Sequence, residues 1–250
     1  MMNKLQLAAC VTLLFSAFLV LPVQAADANW QLTWHGQACF TIVTPDGVRI
    51  LIDPPDPSVG FPGPAGSFDV VLISHEHFDH NYTAGLPKGQ RVIRGLTDGG
   101  KHVSQVNISV KGTQITTVPS FHDKNKGKDR GLNTIFVVQS KGKRLVHLGD
   151  LGHTLTPSGA LGKVDILLIP VGGFYTIDAT EAKEVVDALK PGAVIPMHYK
   201  TPKSSVKELS PPDKFESLMA GRIVKVSTNS IPIDEKKLKE GTKAYLLSPP

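Results

Sequence analysis

The sequence predicts an α+β fold in which two β-sheets pack face to face with helices on their outer faces. Three observations carry this expectation. Short apolar segments of strand length recur along the chain, separated by turns. The 23 Gly and 19 Pro suit such turns and do not suit a helical bundle. Only two segments show helical spacing, too few to place a helix between every pair of strands.

Taken in order, the chain opens with an export signal. Lys4 gives the positive start, Val11 to Leu21 the apolar stretch, and Val23-Gln24-Ala25 the small-residue cleavage site. Residues 26–250 are then the mature protein, expected to be one domain that is periplasmic or secreted. The apolar stretch is short for a span of about 20 residues, so no membrane anchor is expected after cleavage. Predicted strands are Gln31–Trp34, Cys39–Thr44, Val48–Ile52, Val70–Ile73, Ile108–Val110, Ile115–Val118, Thr134–Gln139, Arg144–Leu148, Ile166–Ile169, Ala193–Pro196 and Ile223–Ser227. Thr44-Pro45-Asp46-Gly47 reads as a hairpin turn. Pro54–Gly66 and the basic stretch Lys124–Arg130 read as loops. A helix is predicted over Ala179–Leu189, stopped by Lys190-Pro191-Gly192, and a second over Asp213–Met219.

Composition bounds the function. At 250 residues, 41% hydrophobic and 20% charged, the chain can build an ordinary core. Residues 1–25 carry one Lys and no acid, so the formal charge of +5 falls to +4 on cleavage. That is no nucleic-acid footprint, but it suits a small, anionic substrate. Cys10 leaves with the signal and Cys39 stays alone in an apolar run, which excludes an internal disulfide.

The chemistry concentrates in Ser74-His75-Glu76-His77-Phe78-Asp79-His80, directly after the apolar strand Val70–Ile73. In extended chain, residues two apart point the same way, so His75 and His77 can grip one metal. Asp79 and His80 come one step later and can face a second. Imidazole and carboxylate are ordinary ligands of zinc and also suit iron or manganese. His122, Asp150 and His198 each sit just past the end of an apolar strand, where a sheet edge can gather distant residues. A carboxylate has two oxygens, so Asp150 can bridge two metals, and Gly149 allows a close backbone approach.

This HxHxDH run, followed by separate His, Asp and His residues, resembles the metallo-β-lactamase superfamily over Trp30 to about Ser227. The branch it is most similar to is that of L-ascorbate-6-phosphate lactonase and related metal-dependent hydrolases. Gly36-Gln37-Ala38-Cys39-Phe40, Leu51-Ile52-Asp53-Pro54, Gly149-Asp150, Asp165 to Gly173 and Pro196-Met197-His198-Tyr199 carry that similarity. The resemblance implies an αββα sandwich with the site at one edge of the sheets. It implies that His75, His77 and His122 hold one metal, that Asp79, His80 and His198 hold another, and that Asp150 bridges them. Many relatives have His in the place of Gln37; here His35 is close by. True class B β-lactamases use other ligands in the place of Asp150, which argues against antibiotic hydrolysis.

The activity expected is hydrolysis of a small ester, lactone or phosphoester by a metal-activated hydroxide, using two divalent metals, foremost Zn2+. Bound water then titrates near pH 7 instead of about 16. Asp79 is expected to orient the nucleophile or pass its proton, and His153, three residues after Asp150, to protonate the leaving group. Tyr175 is a candidate for the substrate wall, His35 for the pocket, and Asp53 for orienting a ligand imidazole. His147 has the opposite strand parity to Asp150 and is expected to pack elsewhere. The cationic loop Lys124, Lys126, Lys128 and Arg130 is a candidate for steering an anion. The alternatives are an iron-dependent oxidoreductase of the sulfur dioxygenase type and a non-catalytic metal-binding protein. Gly95 to Lys101 matches a phosphate-loop spacing, but His102 stands where Ser or Thr is required.

Overall fold

The computed structural model describes residues 29–250, so the expected export signal at residues 1–25 lies outside the described residues. In chain order, β1 spans Trp30–Trp34, β2 Phe40–Val43, β3 Arg49–Ile52, β4 Val70–Ile73 and β5 Val92–Arg94. A small hairpin follows, β6 Leu96–Thr97 and β7 His102–Val103. Next come β8 Asn107–Val110, β9 Thr113–Phe121, β10 Leu132–Ser140, β11 Lys143–His147 and β12 Ile166–Pro170. The chain ends with α1 Ala179–Leu189, β13 Ala193–Met197, α2 Asp213–Leu218, β14 Ile223–Val226, β15 Ser230–Ile233, α3 Glu235–Lys239 and β16 Lys243–Leu247.

Two mixed sheets result. The first runs β15-β1-β2-β3-β4-β5, antiparallel as far as β3 and parallel beyond it. The second runs β14-β16-β13-β12-β11-β10-β9-β8, parallel from β14 to β11 and antiparallel from there. One continuous core joins them: Leu32, Ile42, Ile50 and Leu72 from the first sheet, Phe136, Leu145, Leu168 and Val194 from the second. Each such aliphatic side chain contributes about 1.5–3 kcal/mol by leaving water.

Side-chain alternation divides the faces. On β4, Val70 and Leu72 enter the main core, while Val71 and Ile73 turn outward to a second cluster with Cys39, Leu51 and Phe68. Burial pushes the Cys39 thiol well above its usual range, with the Asp53 carboxylate adding to the effect, so it is inert packing.

Helix α1 has the bounds its sequence predicts because both ends are specified. Asp178 accepts from the Thr180 and Glu181 amides, and Glu181 reaches back to the Asp178 amide, a complete capping box. Lys190 takes φ +47° at the other end, just before Pro191. Ala182, Val185 and Val186 lie on its buried face.

The fold extends past Ser227, where the strand reading stopped. β15 pairs with β1, and β16 inserts between β13 and β14. Pro232 hides β15 from a strand reading, but proline is tolerated at a sheet edge, and β15 is one. β5, β6, β7 and α3 are also additions, all short. No helix among the described residues is long and apolar enough to cross a membrane.

Candidate metal centre

The site forms where the loops following β3, β4, β9, β11 and β13 meet. The parallel pairing of β3 with β4, and of β11, β12 and β13, sends these strand ends in common directions. His75, His77 and His122 come together as one group, and Asp79, His80, Asp150 and His198 as another. Within each group the ligand atoms lie within 4.8 Å of one another. Asp150 stands between the groups. Its Oδ2 lies 3.2 Å from His122 Nε2, 3.9 Å from His75 Nε2 and 3.3 Å from His198 Nε2. Its Oδ1 lies 3.2 Å from His80 Nε2. Asp79 Oδ2 completes the second group, 3.5 Å from His80 Nε2 and 3.7 Å from His198 Nε2.

Burial and charge set the protonation of these side chains. Burial, aided by the neighbouring His80, holds His75 well below the usual imidazole range, and burial with His122 lowers His77. Both are therefore neutral, the form that binds metal. Burial also opposes a charge on His80 and His198, but the Asp150 and Asp79 carboxylates outweigh it. They hold His80 well above its ordinary value and His198 up to about 9. Burial likewise opposes the two carboxylates, yet facing His80 and His198 keeps both well below the usual range. The second group is thus built to balance positive charge, which a metal can supply in place of the imidazole protons.

The polar inventory fits metals. His80 Nε2 and Asp150 Oδ1 are buried and have no aligned hydrogen-bond partner, although they lie only 3.2 Å apart. Such groups are costly to bury unless something satisfies them. A cation between them would.

A second layer of residues aims the first. Asp53, fully buried, accepts from the Ser74 amide at 2.7 Å, from Ser74 Oγ at 2.6 Å and from His80 Nδ1 at 3.0 Å. Since Ser74 Oγ donates to Asp53, it accepts from His75 Nδ1, 2.9 Å away. Asp53 therefore fixes the tautomer of one imidazole in each group and leaves each Nε2 facing the centre. Asn133 accepts from the Asp150 amide at 3.0 Å and donates to Leu148 O and Ser120 Oγ. His147 is buried beneath, donating to Ala38 O at 2.8 Å and accepting from the Gly149 amide at 3.1 Å. Neither Asn133 nor His147 is identifiable as a support from sequence. Their only sequence signal is a polar residue within an apolar strand. Gly149 has φ +54°, and a Cβ there would lie 2.4 Å from Asn133 Oδ1, so the backbone approach does require glycine.

His77, Asp79, His122 and Asp150 form the floor of a cleft of about 630 Å³ whose walls include Phe78, Arg130, Tyr175 and Val206. Of the cationic loop, only Arg130 reaches this cleft. Buried Asp123 organises the loop by accepting from the amides of Asn125, Gly127, Asp129 and Arg130. Lys124 is tied to Glu181, while Lys126 and Lys128 face solvent, as in a solvated basic loop. The Arg130 guanidinium lies over the rings of Tyr175 and Phe174, at 5.6 and 6.0 Å, with no carboxylate partner among the described residues.

Two further expectations need correction. His153 is not available to a leaving group: its Nε2 accepts from the Phe121 amide, its Nδ1 donates to Thr154 O, and it does not line the cleft. His35 pairs with Thr41 at 2.8 Å and is likewise outside the cleft; burial, aided by the Arg49 charge, lowers it to about 4.

A family model for the β-lactamase superfamily domain matches residues 31–198, from β1 to the last ligand candidate. A UPF0173 metal-dependent hydrolase of Thermoplasma acidophilum is 31% identical over 196 residues, covering 69% of this chain and 84% of that protein. A crystal structure from Thermotoga maritima, described as a proposed Zn-dependent hydrolase of the metallo-β-lactamase superfamily, is 36% identical. It superposes with a TM-score of 0.68 over 88% of this chain and all of its own. CmlA, a diiron β-hydroxylase from Streptomyces venezuelae, shares the fold alone, at 14% identity and a TM-score of 0.55 over 89% of this chain and 53% of its own. The chain thus belongs to the metallo-β-lactamase superfamily, within its UPF0173 family of metal-dependent hydrolases.

Proposed function

We propose that the chain is an exported two-metal hydrolase acting on a small, anionic ester, lactone or phosphoester. The observation that carries this reading is Asp150, one buried carboxylate whose two oxygens face the two ligand groups. The T. acidophilum and T. maritima proteins, described as metal-dependent or Zn-dependent hydrolases, support it. Zn2+ is the first choice for a ligand set of imidazoles and carboxylates. When bound, two such metals supply a water acidic enough to ionise near pH 7 and an electrophile for the scissile bond.

The chain's own residues do the rest. Asp79 is the more accessible carboxylate, at 14% side-chain exposure against 2% for Asp150, and it lines the cleft. It is placed to orient a nucleophilic water and take its proton. Arg130 offers an unpaired guanidinium to the substrate's anionic group. Phe78 and Phe174, 60% and 61% exposed, stand as apolar walls at the cleft and in the adjoining hollow.

The test is metal analysis of the purified mature protein with a hydrolysis panel of lactones, phosphodiesters and β-lactams. About two metals per chain are expected, with hydrolysis lost on chelation and restored by metal. One iron with oxygen uptake and no hydrolysis would replace this reading with the oxidoreductase.

Arg130→Ala separates charge recognition from chemistry. A hydrogen bond to a charged group contributes about 1.5–3 kcal/mol, so KM for an anionic substrate should rise roughly tenfold or more with kcat little changed. A neutral ester of similar size should be unaffected. Equal effects on both substrates would mean that Arg130 acts on structure instead.

A further inference from the structure

Gln37 lies against the second ligand group and has no part in the scheme above. Its side chain is 99% withdrawn from solvent, at 1% exposure, and its backbone takes φ +48°, rare for a residue with a Cβ. The backbone is held there on several sides. Gln37 O accepts from the Trp34 indole at 2.9 Å and from the His198 amide at 3.1 Å. The preceding Gly36 sits so close to the Phe61 ring that a Cβ would lie 2.3 Å from it.

This turn delivers the amide to one place. Gln37 Nε2 lies 2.9 Å from Asp79 Oδ2 and 3.1 Å from His198 Nε2. Both are candidate ligand atoms of the second group, so the amide stands where the lone pairs they would offer a metal converge. Meanwhile Gln37 Oε1 is buried without a hydrogen-bond partner. A donor nitrogen suits the Asp79 carboxylate, but it opposes a cation held by these same atoms. A half-turn about the terminal torsion exchanges amide nitrogen and oxygen at nearly the same positions.

We propose that Gln37 is a further ligand of the second metal, its Oε1 joining Asp79, His80, Asp150 and His198. The proposal rests on the two-metal reading of the centre. A neutral amide oxygen is a hard donor, so it would shift the preference of the second group toward a harder metal than the three imidazoles of the first group favour.

The experiment loads wild type, Gln37→Ala, Gln37→Leu and Gln37→Glu with Co2+ or Zn2+. It reads stoichiometry after dialysis, stepwise affinity by chelator competition and the visible bands of the Co2+ forms. Melting of the metal-free proteins checks that each variant folds. Gln37→Ala and Gln37→Leu should bind the second metal on the order of 10-fold or more weaker, with the first unchanged and the Co2+ bands of the second altered. Gln37→Glu keeps an oxygen but has no N–H, and it should bind the second metal at least as well as wild type. Unchanged second-metal affinity and bands in Gln37→Ala would overturn the proposal. So would a loss in Gln37→Glu equal to that in Gln37→Ala, since the donor would then be what matters. A wild-type protein that binds no second metal would remove the two-metal reading and this ligand together, an outcome the wild-type data alone reveal.

Discussion

Replacing Asp150 by Ala is expected to deplete both ligand groups of metal and to lower hydrolysis by roughly 10³-fold or more, about 4 kcal/mol of activation free energy. The size follows from position. Asp150 is the only one of the seven ligand candidates that approaches imidazoles of both groups within 4 Å through a carboxylate. The substitution also leaves His80 and His198 with less counter-charge in a buried place. Breaking a buried pair from one side costs about 3–5 kcal/mol, so the metal-free variant should melt well below wild type. Asp150→Asn keeps the volume and one oxygen, and should recover the packing more than the metal. Elemental analysis, melting of the metal-free forms and turnover separate these effects. Hydrolysis that survives in Asp150→Ala would place the chemistry elsewhere in the cleft.

The parts of this centre that sequence makes legible are those with local signatures. His75, His77, Asp79 and His80 lie within six positions of one another and one residue after four consecutive apolar residues, so neither the strand nor the cluster needs long-range information. His122, Asp150 and His198 are legible at one remove, because each follows a strand end: parallel pairing brings the ends of β11 and β13 to one edge, and two antiparallel steps through β10 bring the end of β9 there too. Asn133, His147 and Asp123 are not legible. Asn133 matters because β10 runs between β9 and β11, which puts its amide beside both Ser120 and Asp150. That neighbourhood exists only after residues 13 and 17 apart are paired. Strand parity sends His147 away from Asp150, and the structure places it outside the cleft. Parity alone does not reveal that the far face of the strand carries the support for Gly149 and for the loop at Ala38. His153 failed for a similar reason. Three residues from Asp150 is close in sequence, but backbone groups of Phe121 and Thr154 occupy both of its ring nitrogens.

Asp53→Ala is the second large effect, and it is expected to act on both metals although Asp53 would touch neither. A single carboxylate reaches His80 directly and His75 through the Ser74 hydroxyl. Losing it frees the rotation and tautomer of one imidazole in each group, and removal of such a partner typically weakens metal binding 10–100-fold. It also strands the Ser74 amide and hydroxyl in a site without solvent. Each lost hydrogen bond to a charged acceptor is worth about 1.5–3 kcal/mol, so a fall in stability of several kcal/mol should accompany the loss of metal. The backbone adds to this, since Asp53 holds φ +48°, a conformation that Asp tolerates better than Ala does. Ser74→Ala cuts only the branch to His75 and leaves the Asp53–His80 bond in place. It should therefore weaken the first metal while sparing the second, whereas Asp53→Ala weakens both. Stepwise affinities measured by chelator competition on the two variants would distinguish a shared support from a general loosening of the fold. If Ser74→Ala lowered both affinities equally, the two-branch arrangement around Asp53 would not be what holds the ligands in place.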